Sequence, residues 1–230
     1  MEKRHSARDA RLSGVAALLG ECAYYADIGC DHGRLGAYLL QTNRVGRAAL
    51  TDISEESLKK ARRLIGLLGL SSRVDFRVGD GALALDRTPE AAVIAGMGGT
   101  TIAKIVREGR ERLGGARLVM QPNVAAPELR RALCECGYRI DDERAVPDGR
   151  RNYIIIAASP GEAAYTDREL AVGPILLKTM PETLRPYAAF RLRVAKKALA
   201  GAEAGGDAAQ VEALRREIEI WEDVWQCLRR

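Results

Sequence analysis

Short apolar runs alternate with helical patterns from about residue 22 to residue 158, and this alternation restricts the chain to few folds. Strands are predicted over 24–28, 48–51, 74–78, 91–95 and 118–120, with helical spacing between them. In "SEESLKKARRLIGLLGL" the leading residue, Ser54, is predicted to cap a helix. Strands that alternate with helices favour a parallel sheet covered on both faces.

The end of this region departs from the alternation. The runs "YRIDDERAV" and "RNYIIIAAS" are separated by "PDGR", in which Asp148-Gly149 is a hairpin signal, so an antiparallel pair is predicted to close the sheet. Residues 159–174 are interpreted as a connection. Helices are predicted from about 181 to 204 and, after the break at Gly205-Gly206, up to 228. We therefore predict an α/β, Rossmann-like domain over residues 1–160 and a helical hairpin or coiled-coil appendage over residues 161–230.

Composition excludes several classes of protein. With 230 residues, 47% of them apolar, the chain can bury a sizeable core. No apolar stretch is long enough to cross a bilayer, and none follows the charged N-terminus as a signal peptide requires. The five cysteines form no C-x-x-C pair and only two histidines accompany them, so no metal site is expected. These features predict a reduced, cytoplasmic protein without a membrane partner; a monomer is expected, with a dimer as the alternative.

Acidic residues stand where three successive predicted strands end: Asp27, Asp52 and Asp80. Ligands of open α/β sheets bind at the carboxyl ends of the strands, and Gly29 leaves room there against bare main chain. A carboxylate inside the first turn would repel a diphosphate, whereas it would suit an ammonium or sulfonium group. Asp52 stands near the roughly 20-residue offset at which an acidic side chain takes ribose hydroxyls. The pattern predicts S-adenosylmethionine rather than a dinucleotide, although helix capping is an alternative for each acid.

Four further motifs point to one family. They are "DIGCDHGRLGAYLL" at 27–40, "GMGG" at 96–99, "QPN" at 121–123 and "GYRIDDERAVPDGRRNYIII" at 137–156. From about residue 11 to residue 156 the chain resembles the bacterial tRNA (adenine-22-N1)-methyltransferase family, called TrmK. The resemblance implies a class I methyltransferase fold that uses S-adenosylmethionine to methylate N1 of adenine 22 in tRNA. It also implies a C-terminal coiled coil that helps to hold the tRNA.

The motifs and the resemblance give three groups of candidate residues. The predicted cofactor-binding residues are Arg11, Asp27, Gly29, Cys30, Asp52, Ile53, Asp80, Gly81, Gly96 and Met97. Asp31 is predicted to stabilise the positive charge on the methylated adenine or to accept its N6 proton, with His32 as its orienting partner and Asn123 as a hydrogen-bonding contact to the base. The predicted substrate and RNA contacts are Arg34, Gly98, Arg150, Arg151, Arg191, Arg193, Lys196 and Lys197.

Simpler roles remain open for several of these residues. Asp31 is alternatively a helix cap, His32 part of the wall of its turn, and 96–99 only a tight turn. The basic run "RPYAAFRLRVAKK" at 185–197 is alternatively a solvated helix face. Gly33-Arg34 replaces the family's Ala-Tyr pair, so Arg34 is predicted to meet a phosphate or stack on a base instead.

Two other functions are kept as alternatives. One is an NAD(P)-dependent oxidoreductase on a similar sheet, which Asp27 and the closing hairpin disfavour. The other is a non-catalytic RNA-binding protein that retains the methyltransferase fold.

Overall fold

The computed structural model describes residues 10–149 and 151–229. Within these residues seven strands form one sheet: β1 (Cys22–Ile28), β2 (Val45–Asp52), β3 (Val74–Val78), β4 (Ala91–Met97), β5 (Arg117–Pro122), β6 (Tyr138–Asp148) and β7 (Arg151–Pro160). Their order is β3-β2-β1-β4-β5-β7-β6. The first five strands are parallel, β7 is antiparallel to β5, and β6 is antiparallel to β7. The predicted mostly parallel sheet with an antiparallel closing hairpin is confirmed.

The described ranges also contain the helices α1 (Ala10–Leu19), α2 (Arg34–Gln41), α3 (Glu55–Leu67), α4 (Gly99–Glu108), α5 (Arg110–Leu113), α6 (Ala126–Glu135), α7 (Asp167–Val172), α8 (Pro174–Thr179), α9 (Leu184–Gly205) and α10 (Ala208–Cys227). None of these helices has the length and apolar content that crossing a membrane requires. Ser54 caps α3 as predicted, because its hydroxyl accepts the Ser57 amide at 3.2 Å.

The interpretation of residues 159–174 as a connection is wrong, because α7 lies within them. Thr166 caps this helix by accepting the backbone amide of Glu169, and the Glu169 carboxylate accepts the Thr166 amide in return. This reciprocal arrangement is a capping box, and its T-x-x-E spacing is visible in the sequence.

The sheet buries apolar side chains on both faces. Alternate residues of β1 point in opposite directions, with Tyr24 and Ile28 on one face and Tyr25 on the other. Helices α1, α2 and α3 cover the Tyr25 face. Helices α4, α6 and the C-terminal helices cover the opposite face, where Trp221 is fully buried in the same core cluster.

A buried ion pair attaches the C-terminal helices to the sheet. Arg130 of α6 and Glu143 of β6 are joined by a 2.8 Å Nε–Oε1 contact, and their side chains are 1% and 0% exposed. The guanidinium also donates to the carbonyls of Leu170 and Val172 at the end of α7, at 2.8 and 3.1 Å. The remaining Glu143 oxygen accepts the amide of Ile175 in the first turn of α8 at 3.0 Å. Each charge therefore satisfies backbone groups that a helix end leaves unpaired.

The two last helices form the predicted antiparallel hairpin. Gly206, with φ 73°, ends α9 in the left-handed conformation, which glycine adopts without steric cost. Lys196 lies 2.7 Å from Glu222, and Glu203, later in α9, lies 3.0 Å from Arg215, earlier in α10, so the two helices run in opposite directions. The break at Gly205-Gly206 is confirmed.

Candidate active site

A cavity of about 680 Å³ opens at the carboxyl ends of β1, β2, β3 and β4. This size is typical of sites for small molecules and cofactors. All of the predicted cofactor-binding residues line it: Arg11, Asp27, Gly29, Cys30, Asp52, Ile53, Asp80, Gly81, Gly96 and Met97. Asp31, His32 and Arg34 line it as well. The sequence analysis did not single out the other lining residues, which are Leu12, Ile28, Leu35, Gly79, Ala95, Thr101 and Ile105.

The loop after β1 requires glycine at its first position. Gly29 has φ 73°, and a Cβ atom there would lie 2.1 Å from the Met97 Cε atom. The amides of Gly29 and Cys30 both donate to the Thr51 carbonyl at 2.9 Å, which fixes the loop against β2. The loop therefore presents bare main chain to the cavity, as the sequence predicts.

The Asp27 carboxyl group lies beneath this loop and is almost fully buried, with 5% of the residue exposed. Its pKa is raised to about 7, mainly by burial; the nearby Asp52 carboxylate also raises this pKa, whereas hydrogen bonds from the Tyr25 hydroxyl and the Gly36 amide lower it. The Tyr25 hydroxyl donates to Asp27 Oδ2 at 3.4 Å. A ligand cation beside this carboxyl group would favour its ionised form.

The other two strand-end acids are arranged differently. Asp52 accepts the backbone amides of Asp31 and Ser54 at 3.0 and 2.9 Å, one on each oxygen, and so joins the β1 loop to the start of α3. Each carboxylate oxygen has a second acceptor position, which leaves Asp52 able to bind a hydroxyl. Asp80 makes no capping hydrogen bond to the turn that follows it. Ile53, 74% exposed, adds apolar surface to the same side of the cavity.

Asp31 and His32 form a pair at the edge of the cavity. The Asp31 Oδ2 and His32 Nδ1 atoms are 2.6 Å apart, and the side chains are 69% and 40% exposed. Asp31 has φ 50°, a left-handed conformation that Asp tolerates better than most residues. The cap position of α2 is occupied by Gly33 without any side-chain hydrogen bond, so the capping alternative for Asp31 is wrong.

Arg34 is the first residue of α2, and its side chain is exposed at the cavity. Among residues 10–149 and 151–229, none forms an ion pair or a hydrogen bond with its guanidinium. The prediction that Arg34 contacts the substrate stays a prediction, and its position is compatible with it.

The predicted glycine turn lies at the end of β4. Gly96 has φ 81° and sits at a bulge between Ala95 and Met97 in the pairing with β5. Asn123 holds this turn twice, because its backbone amide donates to the Met97 carbonyl and its Nδ2 donates to the Gly96 carbonyl, both at 2.7 Å. Gly98, which was predicted to contact the substrate, is the cap position of α4 and does not line the cavity.

The predicted role of Asn123 as a base contact differs from what its side chain does. It is absent from the cavity lining, and both atoms of its side-chain amide are engaged. Its Nδ2 holds the glycine turn, and its Oδ1 accepts Gln121 Nε2 at 3.1 Å. Gln121 was not predicted as a site residue; it is fully buried, and its Oε1 accepts Arg11 Nη1 at 3.1 Å.

The loop of the closing hairpin lies at the same edge of the sheet as the cavity. Met120 near the end of β5 pairs with Ile156, and β7 begins five residues earlier, at Arg151. Arg151 is exposed, and its guanidinium donates to the Tyr153 hydroxyl at 3.4 Å. Arg150 lies outside the described residues.

The four predicted RNA contacts of α9 fall into two pairs. Arg191 and Lys196 form ion pairs with glutamates of α10, and Arg191 is partly buried. The structure thus gives these two residues a role within the hairpin that the sequence analysis did not foresee. Arg193 and Lys197 are exposed, and in the part of the chain that the structure describes neither has an ion-pair partner.

The chain is similar to proteins of known family and structure. The sequence profile of the family described as TrmK: tRNA (adenine(22)-N(1))-methyltransferase matches residues 25–223. A Bacillus subtilis tRNA (adenine(22)-N(1))-methyltransferase is 34% identical over 176 residues, which are 73% of this chain and 74% of the relative. The crystal structure of the B. subtilis M1A22 tRNA methyltransferase TrmK has a TM-score of 0.86 at 26% identity and covers 97% of this chain and 100% of its own. A Streptococcus pneumoniae protein solved in complex with S-adenosyl-L-methionine has a TM-score of 0.81 at 25% identity, with 94% and 99% covered.

Proposed function

The chain belongs to the TrmK family of tRNA (adenine(22)-N(1))-methyltransferases, and on that premise we propose that it transfers a methyl group from S-adenosylmethionine to N1 of adenine 22 in tRNA. The observation that carries the proposal is the cavity at the ends of the parallel strands, into which Asp27, Asp52 and Asp80 converge. A positively charged nucleoside fits this set of carboxylates better than the diphosphate of a dinucleotide.

The residues of the cavity fit such a cofactor part by part. Asp27, nearly buried beneath the bare Gly29 loop, suits the positively charged methionine end, and Arg11 suits its carboxylate. Asp52 has acceptor positions for ribose hydroxyls, and exposed Ile53 offers apolar surface to a base. When bound, S-adenosylmethionine supplies a methyl group activated by its sulfonium.

The chain's own contribution to the reaction is alignment and charge stabilisation. Neutral adenine has an available lone pair on N1, so no proton must be removed before methylation. The product ring is cationic, and Asp31, oriented by His32, holds a carboxylate where it can stabilise that charge or accept the N6 proton. Correct positioning of the two reactants supplies up to about 7–11 kcal/mol of the barrier reduction.

The target adenine lies within a folded RNA and has to leave its stack to enter the cavity. Arg34 lines the cavity and Arg151 is exposed on the hairpin, so both are available to contact the backbone of an extruded nucleotide. Arg193 and Lys197 add exposed positive charge on α9. A tRNA substrate also implies a cytoplasmic location, and a monomer is the expected state in solution.

The direct test uses purified protein, S-adenosylmethionine and a tRNA transcript without modifications. We expect 1-methyladenosine in the nucleoside digest by mass spectrometry, and none when the matched transcript carries guanine at position 22. A methyl group elsewhere, or none at all, would contradict the proposal. Retention of tRNA without methylation would favour a non-catalytic RNA-binding protein, and calorimetric binding of NAD but not of S-adenosylhomocysteine would favour an oxidoreductase.

A further inference from the structure

A chain of side-chain hydrogen bonds runs behind the cavity. Arg11 Nη1 donates to Gln121 Oε1 at 3.1 Å, Gln121 Nε2 donates to Asn123 Oδ1 at 3.1 Å, and Asn123 Nδ2 donates to the Gly96 carbonyl at 2.7 Å. Arg11 and Gly96, the two ends of the chain, line the cavity, whereas the two amides between them do not. The chain therefore joins two parts of the cavity wall through side chains that lie outside it.

The direction of this chain is fixed by its ends. A guanidinium can only donate, so the Gln121 oxygen must face Arg11. A backbone carbonyl can only accept, so the Asn123 nitrogen must face Gly96. The two amides then have one orientation each that satisfies every bond, which removes the usual ambiguity of amide assignment.

Gln121 is the member of the chain that water cannot replace. It is fully buried at the end of β5, directly beside β4, where Ala95 is its pairing partner. A buried amide that loses one hydrogen-bond partner is left with a desolvated, unpaired polar atom, which costs free energy. Both hydrogen bonds of Gln121 are therefore expected to persist.

The Gly96 end of the chain is bonded to a left-handed turn of the cavity wall. Gly96 is left-handed at a bulge, and the next residue, Met97, places its Cε atom against the Gly29 loop. A small rotation of this turn would move Met97 relative to the loop on which the cofactor is proposed to lie.

We propose that Gln121 is a positioning residue: it holds Arg11 and Asn123 in one arrangement and thereby sets the Gly96–Met97 turn against the reactants. The inference rests on the proposed methyltransferase function. Loss of the Gln121 amide nitrogen is therefore expected to reduce the rate of methyl transfer more than the affinity for the cofactor. The contact with Arg11 uses the Gln121 oxygen, which a glutamate side chain also provides, so the bond to Asn123 can be broken while that contact is kept.

The isosteric variant Gln121→Glu tests this directly. Its carboxylate keeps the contact with Arg11 but turns a second oxygen toward Asn123 Oδ1, so two acceptors face each other. Rotation of the Asn123 amide relieves this repulsion, but it turns Nδ2 away from the Gly96 carbonyl, which then loses its donor. We expect kcat for tRNA methylation to fall by about tenfold or more, because small misplacements of reacting groups are costly. The Kd of S-adenosylhomocysteine is expected to stay within about threefold of wild type, which separates transition-state from ground-state effects.

A matched control is Gln41→Glu, which makes the same chemical change at the exposed last residue of α2. It reports how far one added negative charge by itself weakens tRNA binding, and its kcat is expected to match wild type. Thermal melting of both variants shows whether the fold is retained.

A double-mutant cycle with Asn123→Ala adds a second condition. Asn123→Ala removes the donor to the Gly96 carbonyl without adding a charge, so the double variant is expected to lose no more than the worse single variant. Multiplying losses would mean that the two residues act separately and would overturn the proposal. An unchanged kcat in Gln121→Glu, or equal losses of kcat and cofactor affinity, would also overturn it.

A readout without catalysis keeps this inference distinct from the proposed function. The side-chain amide signals of Gln121, identified by their loss in Gln121→Glu, are expected in 1H–15N spectra to exchange slowly and to shift in Asn123→Ala. If wild-type protein does not methylate tRNA, the proposed function fails, while slow exchange and that shift would still support the hydrogen-bond chain. Rapid exchange or unshifted signals would refute it.

Discussion

At the scale of single residues, the Asp27 carboxyl group predicts how cofactor binding depends on pH. Its pKa is about 7 in the ligand-free protein because it is buried. If its ionised form binds the positively charged end of the cofactor, affinity falls as the pH drops below 7 and the group takes up a proton. The Kd of S-adenosylhomocysteine should rise roughly tenfold from pH 8 to pH 6. Calorimetry at both pH values measures this, and Asp27→Asn should bind weakly with a flat profile.

The same group predicts a change in stability of the opposite sense. Its pKa in the folded protein lies above the ordinary value of 3.8, so its stabilising contribution is complete at low pH and is lost as the pH rises through about 7. Asp27→Asn cannot ionise and should melt above wild type at pH 8, by roughly 2–4 °C for each kcal/mol recovered. Scanning fluorimetry without ligand should show the difference shrinking at pH 5.5, and an equal difference at both pH values would contradict the assignment.

Asp31 permits a separation of charge from backbone conformation. Its left-handed φ of 50° is tolerated by asparagine but strains alanine, so Asp31→Asn keeps the loop and removes only the charge. We expect single-turnover methylation by Asp31→Asn to slow by about 10²–10⁴-fold, the range typical of acid–base groups. Quenched-flow sampling with labelled cofactor measures the rate. A near-normal rate in Asp31→Asn would mean that the Asp31 carboxylate only lines the cavity and does not take part in methyl transfer.

The residues at strand ends could be predicted because their position follows from local order along the chain. Asp27 and Asp52 each end a strand of a parallel sheet, and parallel strands bring their carboxyl ends to one edge. The hydrogen bonds that join Gln121 to Arg11 and to Asn123 could not be predicted in this way. Arg11 and Gln121 are 110 residues apart, and an amide's partners are set by packing rather than by spacing.

At the scale of helices and strands, the buried Arg130–Glu143 pair fixes α7 and α8 to the sheet. Arg130→Met leaves Glu143 charged and buried without a cation, which costs about 3–5 kcal/mol. We expect urea denaturation to show this loss in the free energy of unfolding, and hydrogen exchange to rise in α7 and α8. The adjacent exposed Arg131 gives the control, Arg131→Met, which should lose little. Similar small losses in both variants would contradict the role of the pair.

Among the features of helices and strands, those set by a few neighbouring residues could be predicted from the sequence. The hairpin turn at Asp148-Gly149 and the Gly205-Gly206 break are local signals, and both occur as predicted. Helix α7 was missed although its capping box is visible, because its six residues give too short a period to recognise. Arg130 and Glu143 resemble ordinary surface charges in the sequence, and only the tertiary fold buries them.

At the scale of the whole molecule, the balance of charge in the cavity differs from that of the chain. Four aspartates and two arginines line the cavity, whereas the chain as a whole has a net charge of +5. The sequence showed the basic run of α9 but not which of its residues are paired. Arg191 meets a glutamate 26 residues away, on the other helix of the hairpin. A cavity with an excess of carboxylates and exposed basic residues on α9 suit an enzyme that binds a cationic nucleoside and a polyanion together.

The exposed residues of α9 predict how tRNA binding depends on salt. Arg193 lies over the Phe190 ring at 5.7 Å, and Lys197 is one helical turn further along the same face. If both contact phosphates, Arg193→Gln combined with Lys197→Gln should weaken tRNA binding and reduce the slope of log Kd against log salt by about 1 for each residue. Fluorescence anisotropy at several salt concentrations measures this, with S-adenosylhomocysteine binding unchanged. Arg216→Gln on α10 removes a charge that is already paired with Glu212 and should leave the slope nearly unaltered, whereas an equal reduction there would attribute the effect to net charge rather than to this face of α9.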